Sequence, residues 1–158
     1  MPVHMIERVQ RIPVPLEKVW DFFSNPSNLL VLTPADMDLQ IISSETGSPI
    51  YSGQIIEYKL RPVWGLRVYW KTEIREVKEK EFFIDEQRSG PYKLWRHHHY
   101  FKEIPGGVGM TDVVHYQNPL GILGRAANSF FVRNRLKSIF DHRNRKVIEL
   151  FGAWQNAD

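Results

Sequence analysis

The sequence predicts an α+β domain in which a curved antiparallel sheet of about seven strands wraps around one long C-terminal helix. Three observations carry this. Six runs with strand character lie between residues 37 and 118, separated by short turn-forming stretches. They follow one strand and two short helices. A helical run from Arg125 to about Phe151 comes last.

The elements follow in order. Residues 3 to 12, VHMIERVQRI, form the first strand, and Pro13 and Pro15 end it and open a helix over Leu16 to Phe23, a place where a missing N–H costs nothing. A second short helix after Ser24-Asn25-Pro26 carries Leu29, Leu30 and Leu32. It stops before Thr33-Pro34, because a residue preceding proline avoids the α region. The strand runs are Met37 to Ser43, Gln54 to Leu60, Leu66 to Val77, Glu81 to Arg88, Tyr92 to Ile104 and Val108 to Asn118. Thr46-Gly47-Ser48-Pro49, Ser89-Gly90-Pro91 and Pro105-Gly106-Gly107 supply turns, and short links between successive strands imply a meander. Pro119 to Gly124, PLGILG, is a hinge-like loop that could gate a cavity or simply lead into the helix. The last helix offers Phe131, Ile139, Phe140, Val147 and Phe151 among its apolar positions, and the tail GAWQNAD is expected to fray. Residues 1–158 form one domain, without repeats or linkers.

Composition narrows function. The chain has 158 residues, 42% of them hydrophobic and 25% charged, enough for one buried core. With no cysteine, disulfides, thiolate catalysis, zinc-thiolate sites and iron–sulfur clusters are excluded. The start MPVHMIERVQRIPVP has no signal-peptide core, and no window approaches the roughly 18 apolar residues of a membrane span. The expectation is a cytoplasmic protein. A net charge of +3 and basic residues from Arg125 to Lys146 read as a solvated helix face, so no nucleic-acid partner is expected.

The segment FIDEQRSGPYKLWRHHHYF, Phe83 to Phe101, carries the most chemistry. Read with period two it sets Phe83, Asp85, Gln87, Trp95, His97, His99 and Phe101 in register. A core face would hold Val, Ile and Leu; rings mixed with His, Asp and Gln look like a cavity wall. If Glu103 pairs with Val108, His99 faces Asp112, His97 faces Val114 and Trp95 faces Tyr116. If Ser89-Gly90-Pro91 joins Arg88 to Tyr92, Asp85 faces Trp95 and Phe83 faces His97. A turn pairing Val77 with Phe82 adds Trp70, Thr72 and Ile74. The opposite parity, with Tyr69, Lys71, Glu73, Arg75, Glu86, Arg88, Arg96 and His98, is a solvated face.

Several site chemistries compete. His97 and His99 can chelate a metal with Asp112 as third ligand, or can line a pocket; the second reading is preferred, and no metal or cofactor is expected. His99 opposite Asp112 can be an acid–base dyad or a buried pair that satisfies polar atoms. Arg143, three residues after Phe140 and four before Val147, falls near the apolar helix face, where a cation needs Asp85, Asp112 or an anionic ligand group. No GxSxG nucleophile motif occurs, and Gly106-Gly107-x-Gly109 leads into a strand, not a dinucleotide-binding helix.

Four stretches, RIPVPLEKVWDFFSNPSNL, FxDxQxxGPYxxWxHxHxF, TDVVHYQNPLGILG and LKSIFDHRNRKVIELF, resemble the SRPBCC superfamily over essentially the whole chain. That superfamily has the helix-grip fold and includes START lipid-transfer domains, the birch-pollen-allergen type, and polyketide cyclases and aromatases. The closest likeness is to its small, mostly uncharacterised bacterial branch. The resemblance implies a cavity between sheet and helix but no particular ligand. The expected function is binding or transport of a small, largely hydrophobic or amphipathic molecule by Trp70, Phe83, Asp85, Gln87, Trp95, His97, His99, Phe101, Asp112, Tyr116, Phe131 and Arg143. The alternatives are a cyclase, dehydratase or hydrolase using the His99–Asp112 pair, and a partner-binding domain. Oligomeric state is open.

Overall fold

The computed structural model describes residues 2–43, 47–61, 66–118 and 125–156, with side chains of the last helix described from residue 129. Strand β1 (His4–Ile12) is followed by helix α1 (Leu16–Phe23), a 3-10 turn at Pro26–Asn28 and the single-turn helix α2 (Leu29–Leu32). A second 3-10 turn (Ala35–Met37) leads into β2 (Gln40–Ile41), and β3 (Ile55–Leu60), β4 (Val68–Lys78), β5 (Phe82–Ser89), β6 (Leu94–Ile104) and β7 (Gly107–Gln117) follow. Helix α3 (Arg125–Phe151) comes last. The sheet order is β1-β7-β6-β5-β4-β3-β2, with antiparallel neighbours throughout. None of the described helices is long and apolar enough to cross a membrane.

The expected strand from Met37 to Ser43 shrinks to two residues. Met37 ends a 3-10 turn, and Asp38 adopts a left-handed φ of 46°, which interrupts extended backbone. Asn25 starts the α1–α2 corner by accepting the Ser27 N–H at 3.1 Å. The Thr33 hydroxyl closes α2 by donating to the Leu29 carbonyl at 2.6 Å.

The β6–β7 register matches the expected one: Glu103 faces Val108, His99 Asp112, His97 Val114 and Trp95 Tyr116. Gly106 takes φ 86° in this turn, and a Cβ on Gly107 would lie 2.0 Å from the Ile12 carbonyl oxygen.

Two other hairpins depart from expectation. Asp85 faces His97 and Phe83 faces His99, two residues off the expected pairing. The cause is Gln87, whose amide takes over turn closure: Nε2 donates to the Tyr92 carbonyl at 2.6 Å and Oε1 accepts the Tyr92 N–H at 3.2 Å. This lengthens the loop, and an even shift leaves every side chain on its face. In the β4–β5 hairpin, Val77 pairs with Phe83 instead of Phe82. An odd shift inverts faces, but a bulge between Ile74 and Glu76 reverses it, so Ile74 faces Asp85 and Thr72 faces Gln87.

Two apolar clusters fill the interior. Around α1, Trp20 sets its edge against Phe83 and Phe101, with ring centroids 6.0 and 5.4 Å away, over Ile12, Val108 and Met110. Toward the start of α3, Tyr92, Val114 and Tyr116 meet Val132, Leu136 and Phe140. Phe131 is not among them: it is 54% exposed. At about 100° per residue, the nine positions between Phe131 and Phe140 place the two rings on opposite sides of the helix. The edge strand holds α3 through Arg8, which donates to Asp141 at 2.8 Å, and Gln10, which donates to the Asn144 carbonyl at 3.1 Å. The tail is not frayed at Trp154, whose ring lies 5.2 Å from the Arg11 guanidinium carbon. The PLGILG loop lies outside the described residues.

Candidate functional site

Between the sheet, the α1–α2 corner and α3 lies a cavity of about 210 Å³. Phe22, Leu29, Leu32 and Met37 close one side, Ile56, Leu60 and Ile74 rise from the sheet, and Leu136, Ile139 and Phe140 descend from α3. Since about 150 Å³ of apolar void holds one benzene ring, the space suits an occupant of one to two rings.

One wall is polar. Alternation along β5 and β6 turns Asp85, His97 and His99 inward, and Arg143 enters from α3. The imidazoles of His97 and His99 stack with centroids 3.6 Å apart, and Phe83 stacks on the far face of His99 at 4.0 Å. Each ring has its own carboxylate, chosen diagonally across the ladder. His97 Nε2 donates to Asp112 Oδ1 at 2.8 Å, and His99 Nε2 donates to Asp85 Oδ2 at 2.6 Å. His99 and Asp112, expected to face each other, are in contact, with Nδ1 3.3 Å from Oδ1, but the shorter bond of His99 is to Asp85. Asp112 stands behind the histidines and also accepts from the Arg143 guanidinium at 3.4 Å. The Arg143 head lies over the Phe23 ring, 5.1 Å from its centre.

Proton affinities follow from this geometry. Burial drives the His97 pKa down and the neighbouring His99 charge lowers it further, to about 4, against the opposing pull of Asp112. Burial also disfavours charge on His99, but Asp112 and Asp85 outweigh it and raise its pKa. Burial acts to raise both carboxyls. The His99 hydrogen bond and charge hold Asp85 below its ordinary value, and Arg143 with the His97 bond holds Asp112 well below. The site at neutral pH thus contains Asp85 and Asp112 ionised and His97 neutral with its proton on Nε2, while His99, flanked by both carboxylates, holds a proton more readily than an ordinary imidazole.

Of the twelve residues singled out from sequence, Trp70, Phe83, Asp85, Trp95, His97, His99 and Arg143 line the cavity, with Asp112 behind them. Three others do not line it for reasons of packing. Phe101 is wedged between Trp20 and Phe23, Tyr116 fills the second cluster, and Gln87 is spent on its turn. Phe131 is in solvent. Asp85, His97 and His99 bring one potential metal-ligand atom each to within 4.8 Å of one another, so the carboxylate that completes such a set is Asp85, not Asp112.

Tyr58 and Tyr92 also line the cavity and went unread, although IIEYKL alternates Ile56, Tyr58 and Leu60 inward. Burial raises the Tyr58 pKa, as does the Asp85 charge, while a bond with Thr72 opposes them, so Tyr58 is a neutral phenol. His98 and His115 lie on the outer face with rings 5.9 Å apart. The same face carries the Glu73, Glu86, Arg88 and Arg96 ion pairs.

No family model matches the sequence, and no curated protein does. Solved structures do. The ZhuI aromatase/cyclase from Streptomyces sp. R1128 is similar with a TM-score of 0.75 and 9% identity, over 94% of this chain and 93% of that one. A START superfamily protein from Mycobacterium smegmatis gives 0.67 and 11%, over 93% of this chain and 99% of the other. Ara h 8.0201 gives 0.62 and 15%, over 94% and 99%. These likenesses extend over nearly the whole of each chain, and this protein has the helix-grip fold found in the SRPBCC superfamily.

Proposed function

We propose that the protein binds or transports a small, largely hydrophobic molecule in the cavity between sheet and α3, working in the cytoplasm. The observation that carries this reading is a largely apolar cavity of about 210 Å³ with its ionisable Asp, His and Arg groups gathered on one wall. Such a division buries the body of a ligand and orients it by one end. Native mass spectrometry of freshly purified protein, followed by denaturation and analysis of released small molecules, tests it. A retained species of one or two rings is expected. An empty protein that is also not stabilised thermally by any of a panel of one- and two-ring compounds would contradict it.

A second reading has a specific observation behind it. His97 and His99 are stacked, yet their surroundings push their proton affinities apart, giving a neutral imidazole beside one that holds its proton more tightly. An enzyme that moves a proton on its substrate uses such a pair, with Arg143 steadying developing negative charge. His99→Gln then abolishes turnover while leaving ligand affinity nearly intact. In a binder, affinity falls and no turnover is found.

A further inference from the structure

The two edges of the sheet are finished differently. An edge strand offers unpaired backbone N–H and C=O groups to any chain that can pair with it, and proteins blunt such edges by shortening, bulging or covering them. At one edge β2 is two residues long. At the other, β1 runs nine residues from His4 to Ile12 in unbroken register with β7, with no bulge and no proline inside it. Among the described residues, no backbone hydrogen bond from outside the sheet ladder reaches β1. Its attachments to α3 are made by the side chains of Arg8 and Gln10.

On the outer side of the sheet β1 presents Met5, Glu7, Val9 and Arg11. Met5 and Val9 are 59% and 64% exposed. Across the ladder Glu7 meets Val113 and Arg11 meets Gly109, so neither has an opposite charge beside it in the sheet. Among the described residues neither has an ion-pair partner, and the Arg11 guanidinium rests over the Trp154 ring. Four positions apart on one strand, the two lie about 13 Å from each other and cannot pair within the chain. They stand at equal distances on either side of Val9.

That symmetry selects one way for β1 to pair antiparallel with a second copy of itself about a two-fold axis. The axis must pass by a residue and not between two, since a half-step would set one copy's outer side chains against the other's inner ones. Centred on Glu7, the pair sets two carboxylates together. Centred on Arg8, it sets Arg8 against itself and leaves Glu7 opposite Val9. Centred on Gln10, it puts Arg11 opposite Val9. Centred on Val9, it brings each Glu7 opposite the partner's Arg11 and the two valines against each other at the axis, and pairing stops at Pro13, which has no N–H to give. Charges on an edge ordinarily discourage pairing, but these two, of opposite sign and symmetrically placed, favour a single register.

We infer that β1 is a homodimerisation edge: a second copy of this chain adds its β1 antiparallel, centred on Val9, and joins the two seven-stranded sheets into one. This holds whatever the cavity binds.

Sedimentation equilibrium of the native protein, carried to about 200 µM, is expected to show a reversible monomer–dimer equilibrium. Glu7→Arg and Arg11→Glu each turn both attractive pairs into repulsive ones, and each is expected to weaken the dimer about tenfold or more. Mixed in equal amounts, the two variants are expected to associate as the native protein does, because each chain then carries one sign of charge and faces the other. The chain has no cysteine, so Val9→Cys gives an independent reading. Cα atoms directly opposite in an antiparallel pair lie about 4.5–5.5 Å apart, within disulfide range, and mild oxidation is expected to yield a covalent dimer. Met5→Cys, whose two copies would lie about 26 Å apart along the seam, is expected to yield none. A native protein that stays monomeric to about 200 µM overturns the inference. So does a dimer that neither charge reversal weakens, or a mixture of the two variants that associates no better than each alone. Cross-linking through Met5→Cys and not through Val9→Cys overturns the register.

Discussion

Replacing Asp112 by Asn keeps the shape of the side chain and removes its charge, which exposes how the polar wall is held. In the native protein Asp112 accepts from His97 at 2.8 Å and from Arg143 at 3.4 Å, and lies 3.3 Å from His99, at 4% exposure. Without it, the Arg143 guanidinium loses its carboxylate and His99 keeps only Asp85. Breaking a buried pair by removing one partner costs about 3–5 kcal/mol. For a domain of this size, at roughly 2–4 °C per kcal/mol, the midpoint of thermal unfolding drops by about 6–20 °C. Arg143→Met alone leaves the opposite excess and is destabilising for the same reason. Combined, the two substitutions restore balance, so the double variant is expected to be about 2–3 kcal/mol more stable than the sum of the singles implies. Urea unfolding of the four proteins at pH 6.5 closes the cycle. Additivity to within about 0.5 kcal/mol would show that Asp112 and Arg143 do not compensate each other, and the pairing argument would fall.

Three further outcomes can be checked. His97, held neutral down to about pH 4, stabilises the fold above its unfolded pKa, and this contribution is lost as pH falls from about 6.5 toward 4. His99, with a raised pKa, stabilises below about 6.5 and loses that contribution as pH rises through its folded value. Stability is therefore expected to peak near pH 6.5, while NMR shows the two imidazoles titrating far apart. Titration of both near the ordinary value would refute the assignment. Gly107→Ala is expected to cost about 2 kcal/mol or more in chemical denaturation, because its Cβ meets the Ile12 carbonyl, which is backbone and has little room to yield. On α3, Phe140→Ala should cost about 3–5 kcal/mol and Phe131→Ser less than about 0.5 kcal/mol, a contrast that fails if the helix is rotated from the orientation seen.

The alternation of rings and acids along Phe83 to Phe101 was enough to read which side chains point inward, because facing depends only on parity. Pairing was less legible. The Gln87 side chain closes a turn that backbone alone was expected to close, and the β4–β5 hairpin contains a bulge that undoes a misjudged loop. Neither leaves a mark in hydrophobic pattern. The shortest bonds of the histidines went unread for a related reason: each is to the carboxylate diagonal to it, a choice made by side-chain reach and not by ladder register. Phe131 could have been placed correctly, since counting around the helix from Phe140 puts it outside. The short second strand was hidden because Met37 to Ser43 has strand composition, while the left-handed Asp38 that breaks it does not.

The close pairing of opposite charges on this wall has a kinetic consequence. With His99 protonated, two positive and two negative groups lie so close together that they cancel at a distance, leaving a local field with little reach into solvent. Ligands gain no electrostatic guidance from this wall on approach. Capture rates for uncharged compounds should be nearly indifferent to ionic strength, with discrimination between them expressed almost wholly in how long each stays.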